Sequence, residues 1–468
     1  MLDNQVCQKA RLSRDARFDG KFFIAVKTTG IYCRTVCPAH PPKEENVEYF
    51  SSAFLAAQSG YRPCLRCRPD SAPDSPAWKG AGATLDRAIK LIDQGALQQS
   101  SLPELSKRLG VSDRYLRKLF NQHLGVSPKA YALYQQCLFA KKLLHQTNLP
   151  ITEVALASGF DSIRRFNDCF KEQLKLTPTQ MRKQKKSTNS KVVLQLFYRP
   201  PFNWQQMQLF LSARLIEGLE WITPDSYGRH FSWQGSVGQF TATHIEGKNY
   251  FEVEVQLDEL KTLKPVINNI RRVLDLDADL VQIEQDLVTA LPKAFKLTPG
   301  LRLPGIWSLF EAGIRAILGQ QVSVQAAKNL VHQLVHALGD LAPNGRYFPS
   351  PHSVANNDLT FLKMPDSRRQ TLIRFAQYFC DTYEPEVPDN WLQLKGIGPW
   401  TVAYAKMRGQ SNPDIFLGSD LGIIKALKAQ AAAAETSLEI SPKDQRTLSP
   451  DLASPWRSYL TFQLWSQL

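Results

Sequence analysis

Apolar residues change their spacing twice along the chain, and each change predicts a different kind of structure. Between residues 104 and 182 they recur at intervals of three and four, which is typical of helices. Residues 193–260 instead contain the strand-like runs VVLQLFY and GQFTATHIEGKNYFEVEVQL, the second divided by a Gly-Lys-Asn turn. From about residue 266 the helical spacing returns. The pattern predicts a multidomain α+β protein with an all-α middle part, then an antiparallel sheet and a mostly helical remainder.

Two polar segments divide the chain into three parts. Residues 69–83, PDSAPDSPAWKGAGA, are rich in Pro, Ala, Gly and Ser, and residues 182–191, RKQKKSTNSK, are polar without an apolar period. A chain of 468 residues is also longer than one hydrophobic core usually serves. Both segments are therefore predicted to be linkers between domains.

The middle part contains an internal repeat. Residues 104–111, ELSKRLGV, resemble residues 153–160, EVALASGF. Each copy predicts a helix, a turn at a glycine and a second helix, which is the pattern of a helix-turn-helix. A plain helical bundle is the alternative interpretation.

The second helix of each copy carries the residues of interest. Gly110 and Gly159 supply the turns, and Ser112 and Asp161 can cap the helices that follow. Basic side chains suited to phosphate and base-edge contacts stand on these helices. They are Arg114, Arg117 and Lys118 in the first copy and Arg164 and Arg165 in the second. The segment resembles the AraC-type DNA-binding domain over about residues 84–182, which implies two major-groove readers.

The excess positive charge is confined to the first two-fifths of the chain. Residues 1–190 hold 30 Lys and Arg against 16 Asp and Glu, whereas residues 191–468 hold 27 of each kind. A basic N-terminal region favours a polyanionic partner, although a merely soluble basic surface is the alternative. No run approaches the roughly 18 apolar residues of a membrane span, and the start lacks the apolar run of a secretory signal. We therefore expect a cytoplasmic protein with no membrane contact.

Four of the eight cysteines form two close pairs, Cys33-x3-Cys37 and Cys64-x2-Cys67. In a reducing compartment, clustered thiols are better read as metal ligands or reactive groups than as disulfides. Four cysteines at this spacing suit tetrahedral Zn²⁺, which can stabilise a domain with little core. The spacing alone leaves a purely structural zinc as an open alternative.

The sequence around these cysteines resembles the N-terminal domain of the Ada DNA-alkylation response proteins. The likeness runs over roughly residues 3–72 and includes DGKFFIAVKTTGIYCRTVCPAH and ENVEYFSSAFLAAQSGYRPCLRCRPD. It implies a small zinc-bound α/β domain over residues 1–72, with Cys33 accepting a methyl group from a methylated DNA phosphate. The implied zinc ligands are Cys33, Cys37, Cys64 and Cys67. A metal-bound thiolate stays nucleophilic at neutral pH, and a methylphosphotriester has lost its charge, so such a transfer is chemically reasonable.

Residues 392–409, LQLKGIGPWTVAYAKMRG, predict a helix-hairpin-helix. Gly396 and Gly398 form a tight turn between two helical patterns, and Pro399 stands where a first helical residue would. Backbone N–H groups at such a helix start can hold a DNA phosphate without sequence-specific side chains. An ordinary helix turn is the alternative.

Three further stretches make the C-terminal part resemble AlkA-type 3-methyladenine DNA glycosylases over about residues 192–468. They are RPPFNWQQMQLFLSAR, GLRLPGIWSLFEAGIRAILGQQVSV and PWRSYLTFQLW. The resemblance implies an α+β subdomain over residues 192–300, an all-α helix-hairpin-helix core over residues 301–468, and Asp420 as the catalytic carboxylate. The aromatic residues of the implied base pocket are Phe210, Trp400, Tyr404 and Trp465.

These residues also have structural alternatives. Asp420 could simply cap a helix, and the aromatic residues could belong to the core. Tryptophan at position 400, where lyase-type relatives carry lysine, implies a monofunctional glycosylase that leaves an abasic site. Gln321 lies in the GQQVS turn, where the resemblance implies the wedge residue that fills the gap left by a flipped base.

Together these features predict a DNA alkylation-damage response protein with three modules. A monofunctional DNA-3-methyladenine glycosylase of type II is fused to a methyl-accepting zinc sensor and to a sequence-specific transcriptional activator. Zn²⁺ is the expected cofactor. The expected partners are RNA polymerase and double-stranded DNA carrying alkylated bases, methylated phosphates or a promoter sequence, and we expect a monomer. The alternative is a transcription regulator whose C-terminal part binds DNA without catalysis.

Overall fold

The computed structural model forms two compact units, Met1–Gln135 and Gln136–Leu468. The residues that it describes are 3–14, 18, 22–35, 37, 39–50, 56, 59–64, 79–93, 95–182, 192–291, 295–382, 385–436 and 450–467. Within these ranges, no helix has the length and apolar character needed to cross a membrane.

The first unit begins with a helix and a four-stranded sheet. The helix is α1 (Asn4–Leu12), and the strands are β1 (Phe23–Val26), β2 (Ile31–Cys33), β3 (Val47–Phe50) and β4 (Arg62–Pro63). The strand order is β3-β1-β2-β4, with β1 antiparallel to both neighbours and β2 parallel to β4. Because successive side chains of a strand point to opposite faces, Phe22 and Ile24 pack with α1. Phe23 and Ala25 pack with Tyr32 on the other face.

The first helix-turn-helix is formed as the repeat predicts. The helices of this region are α2 (Lys79–Asp93), α3 (Ala96–Gln99), α4 (Leu102–Arg108), α5 (Asp113–Leu124) and α6 (Pro128–Gln146). Gly110 turns the chain between α4 and α5 at a φ of +69°, a conformation that favours glycine. Ser112 caps α5, and its Oγ accepts a first-turn N–H at 3.2 Å. Leu116 and Phe120 of α5 are fully buried in the core of this module.

Helix α2 begins inside the segment predicted to be a linker. Its first residue is Lys79, so residues 79–83 of the segment are helical. Residues 69–78 lie outside the described residues. Two glycines in the segment disfavour a helix by about 1 kcal/mol each. Leu85 and Ile92 further along α2 are buried in the core, and this packing stabilises the helix beyond what local propensity indicates.

The second helix-turn-helix lies in the second unit. Its helices are α7 (Ile151–Ala157), α8 (Ile163–Leu174) and the short α9 (Pro178–Met181). Gly159 makes the turn at a φ of +81°. The cap of α8 is Ser162, whose Oγ accepts the N–H of Arg165 at 3.4 Å, so the prediction that Asp161 caps this helix is wrong. The hydroxyl of Ser162 lies one residue closer to the first turn and reaches its exposed N–H. The predicted linker that follows lies outside the described residues from 183 to 191.

A five-stranded antiparallel sheet follows in the second unit. Its strands are β5 (Val192–Phe197), β6 (Glu220–Ile222), β7 (Ser226–Trp233), β8 (Ser236–His244) and β9 (Tyr250–Leu257), in the order β5-β9-β8-β7-β6. The runs singled out in the sequence form β5, β8 and β9, as predicted. Strand β7 has no clear apolar alternation because it buries Arg229, which pairs with Glu220 at 3.5 Å and with Glu311 at 2.8 Å.

The remainder is mostly helical. Its helices are α10 (Trp204–Ser212), α11 (Leu263–Val273), α12 (Leu280–Ala290), α13 (Leu309–Leu318), α14 (Val324–Leu338), α15 (Pro351–Ala355), α16 (Asp366–Asp381), α17 (Pro399–Gly409), α18 (Leu421–Thr436) and α19 (Arg457–Trp465). A two-stranded ribbon joins β10 (Leu341–Ala342) to β11 (Gly345–Arg346). Short 3₁₀ helices span Glu44–Asn46, Leu260–Thr262, Pro388–Gln393 and Pro450–Ala453.

Helix α17 lies between two hydrophobic cores of the second unit. Val402 and Ala405 belong to one core, Met407 belongs to the other, and Tyr404 packs against both. Tyr404 is therefore held from two sides while its ring stays half-buried. The mixture of sheet-containing and all-helical parts confirms the multidomain α+β class predicted from the sequence.

Candidate functional site

A cleft of about 1540 Å³ opens in the second unit next to α17. Its walls come from α10, the turn between α13 and α14, the start of α17, the segment before α18 and the end of α19. Most residues that the sequence singled out in the C-terminal part line this cleft. They are Phe210, Gln321, Gly398, Trp400, Tyr404, Asp420 and Trp465. Phe210 and Trp465, which are 255 positions apart in the sequence, thus meet in one place.

Asp420 is held by four N–H donors and remains partly exposed to the cleft. Its Oδ1 accepts the backbone N–H groups of Gly422 at 2.9 Å and Ile423 at 3.2 Å, so it caps α18. The same oxygen accepts the indole N–H of Trp465 at 3.0 Å, and Oδ2 accepts that of Trp400 at 3.2 Å. The capping role and the pocket role, posed as alternatives from the sequence, therefore coexist. Four donors fix the carboxylate in one orientation.

The four pocket aromatics form two stacked pairs. Trp400 and Tyr404 lie with ring centroids 5.3 Å apart at 25°, and Phe210 and Trp465 lie 6.3 Å apart at 21°. Each pair contains one indole that donates to Asp420. All four side chains are half-buried, and they both line the cleft and pack against a hydrophobic core. Such rings can stack on a planar base.

Two arginines, which the sequence reasoning missed, border these rings. The guanidinium carbon of Arg214 lies 3.8 Å from the ring centroid of Phe210, and that of Arg408 lies 4.7 Å from it. Burial, reinforced by the neighbouring charge of Arg408, lowers the pKa of Arg214 to about 10, which leaves it protonated at neutral pH. Each arginine stands four residues after a pocket aromatic, Phe210 or Tyr404, and this helical spacing was the available signal.

The predicted hairpin turn is present and is tied to the turn of Gln321. Gly396 has a φ of +97°, and a Cβ there would lie 2.1 Å from Oγ1 of Thr371. Gly398 is the N-cap of α17, and Pro399 is its first residue, as predicted. Gln320, another residue that the sequence reasoning missed, donates from Nε2 to the Gly396 carbonyl at 3.2 Å and to Thr401 at 3.0 Å. These bonds hold the two turns together.

Gln321 stands at the mouth of the cleft in a strained conformation. Its φ is +56°, which is uncommon for a residue other than glycine, and its side chain is exposed. Gly398 lines the cleft, and Gly396 does not. Gln321 itself lines the cleft with an exposed side chain.

The N-terminal cysteines meet at one edge of the first sheet. Cys33 ends β2 and Cys64 directly follows β4, and since these strands are parallel neighbours, their C-terminal ends lie together. A turn closed by the N–H of Cys37 and the carbonyl of Arg34 at 3.2 Å brings in the third thiol. The Sγ atoms of Cys33, Cys37 and Cys64 lie within 4.8 Å of one another. Cys67 lies outside the described residues.

This cluster fits a tetrahedral metal. Thiolates at 2.3 Å from zinc stand about 3.8 Å apart, which is compatible with the observed spacing. Cys37 and Cys64 are buried, whereas Cys33 is partly exposed to a cavity of about 440 Å³. The predicted methyl acceptor is therefore the most accessible of the three described thiols.

The predicted DNA-reading residues lie on the exposed faces of the two second helices. Arg114, Arg117 and Lys118 are exposed on α5, and Arg164 and Arg165 are exposed on α8. Arg117 also pairs with Asp113 one turn earlier at 3.1 Å. Apolar residues of the same helices face inward, so each basic face is available to a partner.

Three family models match the chain. The metal binding domain of Ada matches residues 6–70, a helix-turn-helix domain matches residues 105–184, and the AlkA N-terminal domain matches residues 193–308. A protein of Mycobacterium tuberculosis named "Probable bifunctional transcriptional activator/DNA repair enzyme AlkA" is 34% identical over 496 residues, covering 100% of this chain and 97% of its own length. The chain belongs to this family of bifunctional AlkA proteins.

Two shorter relatives match different parts of the chain. DNA-3-methyladenine glycosylase 2 of Escherichia coli is 30% identical over 58% of the chain and 95% of its own length. The bifunctional transcriptional activator/DNA repair enzyme AdaA of Bacillus subtilis is 31% identical over 38% of the chain and 82% of its own length. The resemblances to Ada, to helix-turn-helix regulators and to AlkA are thereby confirmed. The chain carries an Ada metal-binding domain in which Cys33, Cys37 and Cys64 can hold Zn²⁺.

Proposed function

We propose that this protein excises alkylated purines from DNA as a monofunctional DNA-3-methyladenine glycosylase. The observation that carries the proposal is the position of Asp420, a carboxylate fixed by four donors beside two stacked aromatic pairs in an open cleft. Incubation of the purified protein with alkylated duplex DNA tests it. Release of free 3-methyladenine supports the enzyme, and a protein that binds the duplex without releasing a base is the regulator of the alternative interpretation.

The aromatic pairs are suited to hold the base after it leaves the DNA stack. Alkylation at N3 or N7 gives the purine a positive charge, which strengthens its interaction with electron-rich rings and weakens its bond to the sugar. We infer that the flipped base stacks on Trp400 and Tyr404 or on Phe210 and Trp465. The base needs little acid help because it leaves as a neutral molecule.

Asp420 is suited to stabilise the sugar as the bond breaks. The electron pair of the glycosidic bond moves to the base nitrogen, and positive charge develops on the deoxyribose. A carboxylate already held by Trp400, Trp465 and the start of α18 needs no reorganisation to face that charge. Water then adds to the sugar and its proton passes to Asp420, which leaves an abasic site. Trp400 supplies no amine for a Schiff base, so strand cleavage does not follow.

The two turns beside the cleft are suited to hold the distorted DNA. The first N–H groups of α17, after Gly398, have no partner within their own helix and can bind a phosphate. A Cβ on Gly398 would meet no atom within 4 Å, so the space for that phosphate is open. We propose Gln321, exposed at the cleft mouth, as the residue that fills the gap left by the flipped base.

Arg214 makes the pocket less favourable for a cationic base than for a neutral one. Replacement of Arg214 with methionine keeps the side-chain length and removes a charge that lies against the Phe210 ring. We expect the ratio of kcat/KM for cationic 7-methylguanine to that for neutral hypoxanthine to rise roughly tenfold, because like charges in a desolvated site repel. Single-turnover excision of both bases from the same duplex sequence measures this ratio.

Arg199→Met is the matched control for that variant. Arg199 is exposed and pairs with Asp279 outside the cleft, so the same loss of charge leaves the ratio unchanged. A ratio unaltered by Arg214→Met would contradict the role given to Arg214 without touching that of Asp420.

For the N-terminal domain we propose transfer of a methyl group to Cys33, with Cys67 as the fourth zinc ligand beside Cys33, Cys37 and Cys64. Bound Zn²⁺ keeps the thiols deprotonated at neutral pH. The Cys33 sulfur attacks the methyl carbon, the bond from that carbon to the phosphate oxygen breaks, and a phosphodiester anion leaves with the electron pair. Cys33 becomes a thioether, and the domain loses one negative charge at its DNA-facing cavity. Binding to DNA is then strengthened.

The two helix-turn-helix units are suited to carry this signal to a promoter. The exposed basic helices α5 and α8 can each enter a major groove. We propose domains over residues 1–72, 84–182 and 192–468, a cytoplasmic location, action as a monomer and contact with RNA polymerase at the promoter. Methylation of Cys33 would thus report damage, while the C-terminal domain removes it.

A further inference from the structure

The loop between Cys33 and Cys37 contains a buried hydroxyl that has no hydrogen-bond partner. Thr35 is only 2% exposed, and its Oγ1 is closed to solvent and unpaired among the described residues. Leaving a buried hydroxyl unsatisfied costs free energy, because the group has given up its hydrogen bonds to water. A partner that arrives after folding would remove this cost.

The surroundings of Thr35 limit what that partner can be. The residue lines the same cavity as Cys33, Cys37 and Cys64. Because Oγ1 is closed to solvent, neither water nor a DNA phosphate entering the cavity reaches it. The sulfur atoms change their nature when metal binds, since each thiol loses its proton and becomes an anionic acceptor. A cysteine thiolate is thus the group in this cavity that becomes a stronger hydrogen-bond acceptor when metal binds.

We propose that Thr35 is a positioning residue of the zinc centre, and that its hydroxyl donates a hydrogen bond to a cysteine thiolate of the metal-loaded cluster. The inference rests on the zinc centre proposed above. Such a bond spreads the negative charge that several thiolates bring together and holds the sulfur in one orientation. Removal of partners of this kind typically weakens metal binding about 10- to 100-fold.

The test compares metal retention in the full chain of the wild type and of Thr35→Val, which has the same shape without the hydroxyl. We expect Thr35→Val to release Zn²⁺ to a chelator about tenfold faster than the wild type. After exchange with Co²⁺, we expect its sulfur-to-metal charge-transfer band to move to lower energy, because the thiolate holds its electrons less tightly without the donor. Thr35→Ser, which keeps the hydroxyl, should restore both values.

Thr28→Val is the matched control, because Thr28 lines the same cavity with an exposed side chain. It should match the wild type in both measurements. If Thr35→Val does not fold, Thr35→Ala takes its place with the same expected changes.

Equal release rates and equal Co²⁺ bands in the wild type and in the variants without the hydroxyl would overturn the role of Thr35 and leave the zinc centre intact. A wild-type protein that bound neither Zn²⁺ nor Co²⁺ would instead overturn the centre itself. The two failures are therefore distinguishable.

Discussion

Replacement of Asp420 with asparagine is expected to lower the rate of 3-methyladenine release by at least about 10³-fold. The substitution removes the negative charge that faces the developing positive charge of the sugar, and it changes the shape of the side chain very little. The asparagine oxygen can still accept the N–H groups of Gly422 and Ile423, and asparagine is as good a helix cap as aspartate. The asparagine NH₂ replaces the oxygen that accepts the Trp400 indole N–H, so the free energy of unfolding should fall by about 1–3 kcal/mol. Single-turnover excision and thermal unfolding measure the two effects.

Asp389→Asn is the control for this prediction. Asp389 pairs with Lys406 on α17 but does not line the cleft, so the same change of charge leaves base release unaltered. If Asp420→Asn kept most of the wild-type rate while binding DNA normally, Asp420 would be a helix cap and nothing more.

The second large effect concerns the acceptor thiol. After exposure to DNA that carries a methylphosphotriester, the wild-type protein should gain one methyl group, located on Cys33 by peptide mass spectrometry. Cys33→Ser should gain none, because a serine hydroxyl at neutral pH is a far weaker nucleophile than a metal-bound thiolate. All three described thiols line the cavity, and Cys33 is the partly exposed one, whereas Cys37 and Cys64 are buried.

Cys380→Ser controls for a general effect of losing a thiol, since Cys380 lies on α16 in the second unit and should not alter the transfer. A methyl group found on Cys37 or Cys64 would refute the assignment. A Cys33→Ser protein whose N-terminal domain is unfolded would favour a zinc ion that only stabilises the fold.

Local sequence signals predicted the elements that are determined by contacts between residues close together in the sequence. Gly110 and Gly159, which the sequence predicted to make the turns, both have positive φ values. The cap of α8 was assigned to Asp161 instead of Ser162 because both residue types cap helices well and stand side by side. Strand β7 was not predicted, because its buried Arg229 is neutralised by Glu220 on the neighbouring strand and by Glu311, which is 82 residues away in the sequence. A local pattern carries no information about such pairing.

In the candidate site, too, some residues were predicted from the sequence, and others depend on partners distant in the sequence. The resemblance to AlkA pointed to Asp420 and to four aromatic residues, and they line one cleft. The roles of Arg214, Gln320 and Thr35 depend on burial and on partners supplied by other elements, which the sequence alone does not give. From the sequence, helix capping and catalysis were alternative roles for Asp420. In the structure, its carboxylate accepts hydrogen bonds from a backbone N–H at the start of α18 and from two indole N–H groups at the same time.

The most direct test of the role of Asp420 is the affinity of the protein for two abasic analogues in the same duplex. One analogue is a cationic azasugar that mimics the charge of the departing deoxyribose, and the other is a neutral tetrahydrofuran. We expect the wild type to bind the cationic analogue at least about 100-fold more tightly, and Asp420→Asn to lose most of this preference. Equal affinity of the wild type for both analogues would contradict the claim that Asp420 stabilises the sugar cation.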